Sequence, residues 1–525
     1  MVQTLKNIFS QKHRLILMLL LVVHTAMTLI YVKQQPLTTD EADYIEYSKR
    51  WLKGNPDKVV DVDDSKTPVV FVAWIPRMVK QALNPSLKQS DWGRADQLSG
   101  RYIMIIFFWG VFIYLYLWGR DLYGKKGWWL PIILLLIDPL FMAFSPIVTS
   151  DMASVFVLLA ACYHYYKFCH QKLLSQFILA AFYTGLAFVT KSSLVFIPFI
   201  FLLIYLTRLA TKQAFMQFGA KALGYGILFV FIVWLVLNCG FYFHHSFDTW
   251  GSYAFKSSSM KNLFQHFSFF KQLPTLLPRP FIQSFDLLQY HSEFGPFVPN
   301  MPYKGVFVLN QKFNHGIWYY YLVTGGLKFT IGFIALLLWA LILLIKQFSI
   351  KSFASRYVFL GMPILLYGSL LSFMNPFQQG IRHAMILLPF MFLAIGYIPV
   401  YCSRYFKKGK MIVAALLLYA LVSAASFFPD IMPYSNELVS NKISLFNYIA
   451  EFNYRSSDIA LDTKPFRDAN PAYKLAPSVP QKGKYIVPGA FVFNSTYEVY
   501  PNYKWLQQYK PVGHYRFVFL LYDIK

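Results

Sequence analysis

Apolar runs of roughly 15 to 25 residues recur along most of this chain, and they decide what it can fold into. They start near residues 15, 102, 128, 152, 173, 192, 222, 317, 357, 384 and 411. A helix rises about 1.5 Å per residue, so roughly 20 apolar residues cross a hydrocarbon core of about 30 Å. Closed barrels show shorter alternating segments instead, and none is seen here. No repeat of roughly 20 to 50 residues stands out either. The expectation is a polytopic α-helical membrane protein with about 11 transmembrane helices. A chain of 525 residues that is 56% hydrophobic and only 14% charged fits that class.

The formal charge of +25 would point to nucleic acid in a soluble protein. Here the basic residues sit in short connections. Segments 1–14, 119–127, 167–172, 207–221, 346–356 and 402–410 together hold 18 Lys and Arg and one acid, Asp121. Cytoplasmic loops collect such charge, and no nucleic-acid-binding motif is present. The pattern holds only if residues 173–206 form two spans that turn at Lys191. One helix of that length would reach about 50 Å. With the N-terminus cytoplasmic, the outer regions are then 33–101, 244–316, 374–383 and the tail 429–525.

The first apolar run lacks a small-residue cleavage site and reads as a retained helix. Cys162, Cys169, Cys239 and Cys402 lie in or beside apolar runs, which argues against a disulfide framework. The chain divides into a membrane domain, 1–428, and a small α/β extracytoplasmic domain, 429–525, with strand-like ends such as FVFLLYDI. In the loop 33–101, DEADYIEYSKRWLKG predicts a short amphipathic surface helix.

Ionisable residues at a membrane edge are costly, so their clustering needs a reason. Asp40 and Glu41 follow the first helix. Lys66 lies on the same loop, in DSKTPVVF. Asp151 lies in SPIVTSDMAS, and Arg382 with His383 in NPFQQGIRHAM. Lys191 joins them at its turn. Acids and bases gathered from distant points suit a site that holds an anion and supplies a base. A lipid phosphate is the natural anion, held by charge-assisted hydrogen bonds. An aspartate beside it takes a proton from an incoming hydroxyl. Plainer roles compete with these. Asp40 and Glu41 read equally as solvated interface, Ser150 or Asp151 as a helix N-cap, and Lys66 and Lys191 as snorkelling side chains. The run Trp318–Tyr321, WYYY, reads first as an aromatic belt. Lys328 is either buried with a partner or part of the pocket. Asn494, in NST, matches a glycosylation sequon.

Taken in order, these residues resemble the membrane glycosyltransferases of the GT-C fold. The marks are the Asp-Glu after helix 1, a Lys-x-Pro on the same loop, an acid after helix 3, GLAFVTKSSLVFIP, LNQKFNHGIWYYYLVTGGLKFT and QQGIRHAMILLPF. The tail segments FPDIMPYSNELVSN and YKWLQQYKPVGHYRFVFLLYDI are similar to the bacterial branch of glycosyltransferase family 39, the protein O-mannosyltransferase-like and lipid A aminoarabinose transferase-like proteins. The resemblance implies a polyprenyl-phosphate sugar donor and inverting transfer to a hydroxyl of a protein, lipid or glycan. It implies location in a bacterial inner membrane. By match, Asp40 is the catalytic base with Glu41 beside it. Lys66, Arg382, His383 and Lys191 hold the donor phosphate, and Asp151 positions acceptor or metal. A divalent cation at Asp40 and Asp151 is compatible with the pattern, but no spacing demands one. Two departures stand out. An Asp-Trp-Gly core of the branch is replaced within Glu451–Ile459 by Arg455, Ser456 and Ser457, and Ser192 stands where glycine follows the lysine. A transporter or flippase of a polyprenyl-linked sugar, or a non-catalytic relative, is the alternative reading. Transport does not require a folded tail, and no inverted repeat is evident, while the intact Asp40–Glu41 pair argues against a non-catalytic relative.

Overall fold

The computed structural model describes residues 11–525 apart from 61, 64, 89–92, 215, 216, 218, 267, 295–305, 376, 377, 379, 440–458 and 494–502. The substituted stretch 451–458 and the sequon at Asn494 lie outside the described residues.

Among the described residues, seven helices are long and apolar enough to cross a membrane: Leu15–Gln34, Arg94–Gly127, Asp151–Gln171, Ser192–Ala210, Ala220–Gly240, Ile350–Met374 and Ile381–Tyr405. Three shorter apolar helices join them, Leu174–Thr190, Ile331–Lys346 and Gly409–Ala425. The molecule is therefore an integral membrane protein. Many of its apolar side chains face outward, Leu15, Val230 and Ile345 among them. That is the expected surface where lipid is the solvent.

Two sequence expectations bear directly on the site. The first is the break at Lys191. Helix Leu174–Thr190 ends there, Lys191 is extended (φ −159°, ψ 125°), and Pro198 helps restart a helix at Ile197. The second is the segment near 128, which is not one continuous span. Helix Trp129–Ile137 stops at Asp138, whose carboxylate caps a new six-residue helix, Pro139–Phe144, by accepting from the amides of Leu140 and Phe141. Proline after a capping aspartate ends one helix and starts another. The chain then runs irregularly to Asp151. Likewise WYYY opens a separate short helix, Tyr320–Lys328, and the apolar helix begins only at Ile331.

The C-terminal region carries a four-stranded sheet. Its strand order is Tyr473–Leu475, Gly483–Pro488, Phe519–Ile524, Gly513–Tyr515, with the first pair parallel and the others antiparallel. Side chains on Phe519–Ile524 are buried but for Asp523, so this strand forms the sheet's core. Asn436 fastens the start of this region to the membrane helices. Its side-chain amide donates to the carbonyls of Gly326 (2.5 Å) and Phe329 (2.8 Å), and its backbone N–H donates to Leu327 (2.9 Å). Those carbonyls close the helix Tyr320–Lys328, whose last acceptors have no intrahelical donors. Asn436→Ala is expected to lower stability by about 1–3 kcal/mol, because two acceptors lose their donor in a buried place. A thermal unfolding midpoint equal to wild type would show the contact to be idle. One ion pair and one hydrogen bond tie the same region to residues 33–101: Arg94 meets Asp462 at 2.8 Å, and Arg516, which also faces Asp430 within its own region, donates to the Gln34 carbonyl.

Candidate functional site

The stretch after helix 1 turns directly into helix Thr39–Leu52, which starts at Thr38 with a capping box: the Thr38 side chain and backbone pair with Glu41, three residues on. This places Asp40 and Glu41 in one helical turn, facing different ways. Asp40 remains 40% exposed. Glu41 is fully buried.

Glu41 is held by three parts of the chain. Arg101 donates to it from Nε at 2.8 Å and Nη2 at 2.6 Å, the Thr38 amide at 2.8 Å, and the Val148 amide at 3.2 Å. Arg101, also fully buried, donates further to the carbonyls of Gln35 and Pro36. Burial alone would push the Glu41 carboxyl up. The Arg101 charge and the hydrogen bonds outweigh it and hold the group below the ordinary glutamate range. Glu41, which the resemblance sets beside Asp40 in the chemistry, is sealed against Arg101 and does not share the exposure of Asp40. It fixes the exit of helix 1, the helix Arg94–Gly127 and the strand of chain before Asp151 to one another.

Asp40 meets Arg382, 342 residues away, at 3.1 Å. Arg382 enters on a 3-10 turn, Ile381–Leu387, that follows Gly380 at φ +76°. That backbone conformation favours glycine. The Gly380 amide is pinned by the Tyr320 hydroxyl at 2.7 Å, and Gln378 pairs with both backbone groups of Ile317. Tyr320 and Tyr321 are thus buried site-facing residues, while Trp318, 57% exposed, keeps the outward position expected of a belt.

Arg382 also lies 4.0 Å from Asp151. Asp151 does not cap its helix. Ser150 holds the cap position, and the Asp151 carboxylate takes a hydrogen bond from Lys191 at 2.7 Å and from Thr149 at 3.2 Å. Lys191 therefore turns inward at its break and does not snorkel. His383 is half-buried beside this group, within electrostatic reach of Lys191, Arg382, Asp151 and Asp40. Lys66 is buried and stands over the Tyr44 ring at 4.4 Å. Its backbone is held by the Lys58 ammonium at 2.6 Å. Asp43, next to Asp40 in space, feels the same neighbours. Burial raises its carboxyl, Lys66 pulls it down, and Asp40, Asp63 and Glu46 push it up, with a net rise.

Asp40, Asp151, Lys191, Arg382 and His383 thus converge, with Glu41 beneath them, while Lys66 stands to one side against Tyr44 and Asp43. Lys328 does not join them. It is buried, and its ammonium donates to the Met432 carbonyl at 3.2 Å. Arg101 was missed. Its signal was present as an arginine at the mouth of an apolar helix, in SGRYIMIIF, where a charge needs a buried partner.

The arrangement joins an exposed carboxylate to fixed cations. The Nε of Arg382 is buried and has no hydrogen-bond partner among the described residues. Among these residues no group of three or more His, Cys, Asp or Glu side chains is placed to hold a metal ion. Asp40 and Asp151 share Arg382 instead, which is a poor fit to a cation between them.

Residues 93–236 match the family model described as dolichyl-phosphate-mannose-protein mannosyltransferase. No curated protein matches the chain. Among solved structures, ArnT from Cupriavidus metallidurans in the apo state is similar at 14% identity and a TM-score of 0.48, over 80% of this chain and 65% of that one. The apo oligosaccharyltransferase of Archaeoglobus fulgidus is similar at 13% identity and 0.46, over 77% and 54%. ArnT from Cupriavidus metallidurans bound to undecaprenyl phosphate is similar at 12% and 0.33, over 98% of each. In the first two the chain spans less than two thirds of the other protein's length. All three scores lie below 0.5, so these likenesses assign no role to any residue here.

Proposed function

We propose that this chain, a many-helix membrane protein of the protein-mannosyltransferase type, is an inverting glycosyltransferase that moves a sugar from a polyprenyl-phosphate donor to an acceptor hydroxyl. One observation supports the reading above the rest. A partly exposed carboxylate, Asp40, lies 3.1 Å from a guanidinium whose buried Nε makes no hydrogen bond among the described residues, the Asp151 carboxylate standing 4.0 Å from it. An unmet buried donor is costly, and an anionic phosphate oxygen placed there would satisfy it.

The step is a single displacement. The acceptor hydroxyl gives its proton to Asp40 as its oxygen attacks the anomeric carbon. The bond from that carbon to the phosphate oxygen breaks, and its electron pair leaves with the polyprenyl phosphate. Negative charge grows on the phosphate as the bond breaks. Arg382, with His383 beside it, stabilises that charge more in the transition state than in the ground state, while Lys66 binds the donor phosphate equally in both. Lys191 acts through Asp151, which steadies Arg382 from its other side. One displacement needs one base and no enzyme nucleophile, unlike retaining hydrolysis with its paired carboxylates. The site faces the outer side of a bacterial inner membrane, with the N-terminus cytoplasmic and the tail periplasmic. The acceptor is a protein, lipid or glycan.

The test is transfer by the full chain in membranes supplied with labelled polyprenyl-phosphate sugars. Covalent sugar transfer is expected. Exchange of the lipid across vesicles without transfer would instead make the chain a transporter. Two variants sharpen the phosphate assignment. Lys66→Ala is expected to raise the donor KM with kcat little changed, and unchanged donor dependence would take Lys66 out of the phosphate site. Arg382→Lys is expected to remain impaired, since a lysine lacks the fork that spans Asp40 and a phosphate together.

A further inference from the structure

A small polar hollow of about 220 Å³ opens one tyrosine away from the ion cluster. It is lined by Ser292, Gly316, Ser372, Phe373, Met374 and Asn375. Among the described lining residues the polar groups are neutral: two hydroxyls, one amide and the backbone of a glycine. No carboxylate or cation is among these lining residues. The Asn375 amide donates to the Tyr321 hydroxyl at 3.2 Å, and Tyr321 stands within electrostatic reach of Arg382 and Asp151. Ser372, Phe373 and Met374 belong to a π-turn, Leu370–Met374, at the end of the helix Val358–Ser369. Such turns interrupt the regular ladder and gather at functional sites. A larger hollow, lined by Trp339, Tyr401 and Tyr405, lies at the other end of the helix Ile381–Tyr405 and far from Arg382.

We propose that the polar hollow binds an uncharged sugar ring, with Ser372 and Asn375 bonding its hydroxyls. This rests on the transfer reading above, and adds the class of sugar and where it sits. A liquid water occupies about 30 Å³, so the hollow has room for roughly seven, the scale of one ring and not of a prenyl tail. Neutral hydroxyl and amide groups match sugar hydroxyls as both donors and acceptors. Phe373, 72% exposed, offers an apolar face to the C–H side of a ring. An amino sugar would place its ammonium among described lining residues that supply no counter-charge, and the nearest named carboxylates, Asp40 and Asp151, are already paired with Arg382 and Lys191.

The ring belongs either to the donor or to an acceptor glycan, and binding to the full chain in lipid nanodiscs separates the two. The probes are decaprenyl-phosphate mannose, decaprenyl phosphate, and methyl mannoside added with decaprenyl phosphate. Wild type is expected to bind the mannose-bearing lipid more tightly than the bare lipid. Ser372→Ala and Asn375→Ala are each expected to cut that increment by about three- to tenfold, leaving affinity for the bare lipid unchanged. If the same variants instead weaken only methyl mannoside, the ring is the acceptor's. Tyr321→Phe removes the hydroxyl that Asn375 bonds and keeps both lining residues, so it is expected to preserve the increment.

The proposal is overturned if both lining variants keep both sugar increments. It is overturned equally if Ser372→Ala is silent while Tyr321→Phe reproduces Asn375→Ala, because Asn375 would then act only through Tyr321. Failure of the transfer reading looks different. There neither lipid binds wild type, or Arg382→Ala leaves lipid binding untouched, whatever methyl mannoside does.

Discussion

Asp40→Asn is expected to leave the fold intact and to lower sugar transfer by roughly 10² to 10⁴, the usual contribution of a general base. The substitution keeps shape and a hydrogen-bond acceptor for Arg382, and removes only the capacity to take a proton. Because Asp40 is 40% exposed, its pairing with Arg382 adds little to stability. The unfolding midpoint should therefore stay within about a degree or two of wild type, since surface changes away from packed features usually stay within about 0.5 kcal/mol. The measurement is the transfer rate at saturating donor and acceptor, normalised to folded protein. Near-normal turnover would remove Asp40 from the mechanism. A loss matched by unfolding would mean that the helix Thr39–Leu52 had failed instead.

The second large effect is expected at Glu41, in the opposite currency. Glu41→Gln leaves the Arg101 guanidinium charged and buried without its counter-ion, and breaking a buried pair from one side costs about 3–5 kcal/mol. Arg101→Met alone should cost a similar amount by stranding Glu41. The double variant Glu41→Gln with Arg101→Met is expected to recover much of the loss, since replacing both charges is often close to neutral. Denaturation of all three in one detergent decides the matter. A single variant as stable as wild type would show that the pair holds nothing together. Acid should not reach the pair early. Glu41 is held below its ordinary value, so its stabilisation is complete above the unfolded glutamate pKa of about 4.3 and is lost only as pH falls through the lower folded value.

These two neighbours show what the sequence carried and what it withheld. The membrane helices were legible because apolar length is a local property. So was the break at Lys191, since a helix across 173–206 would overrun the membrane. The gathering of Asp40, Asp151 and Arg382 followed from the cost of charge at a membrane edge. The division of labour between Asp40 and Glu41 did not. One residue of helix, about 100° of rotation, separates exposed from buried, and which of the pair meets Arg101, 60 residues on, depends on how helix Arg94–Gly127 packs. The inward turn of Tyr320 and Tyr321 was hidden for a related reason. An aromatic run has the same composition whether it borders lipid or props a glycine turn, and only the partner at Gly380 tells them apart. The interruption at Asp138 and Pro139 was readable from those two residues and was outweighed by the hydropathy around them.

The grip of Glu41 on Thr38, Arg101 and Val148 has a consequence for how the protein can move. Three separate stretches of backbone share one carboxylate, so the spacing between the Asp40 and Asp151 turns cannot breathe without exposing a naked charge. If a lipid enters as proposed, the shift that admits it falls on elements that Glu41 does not touch, while the Asp40 turn keeps its place against the chain before Asp151.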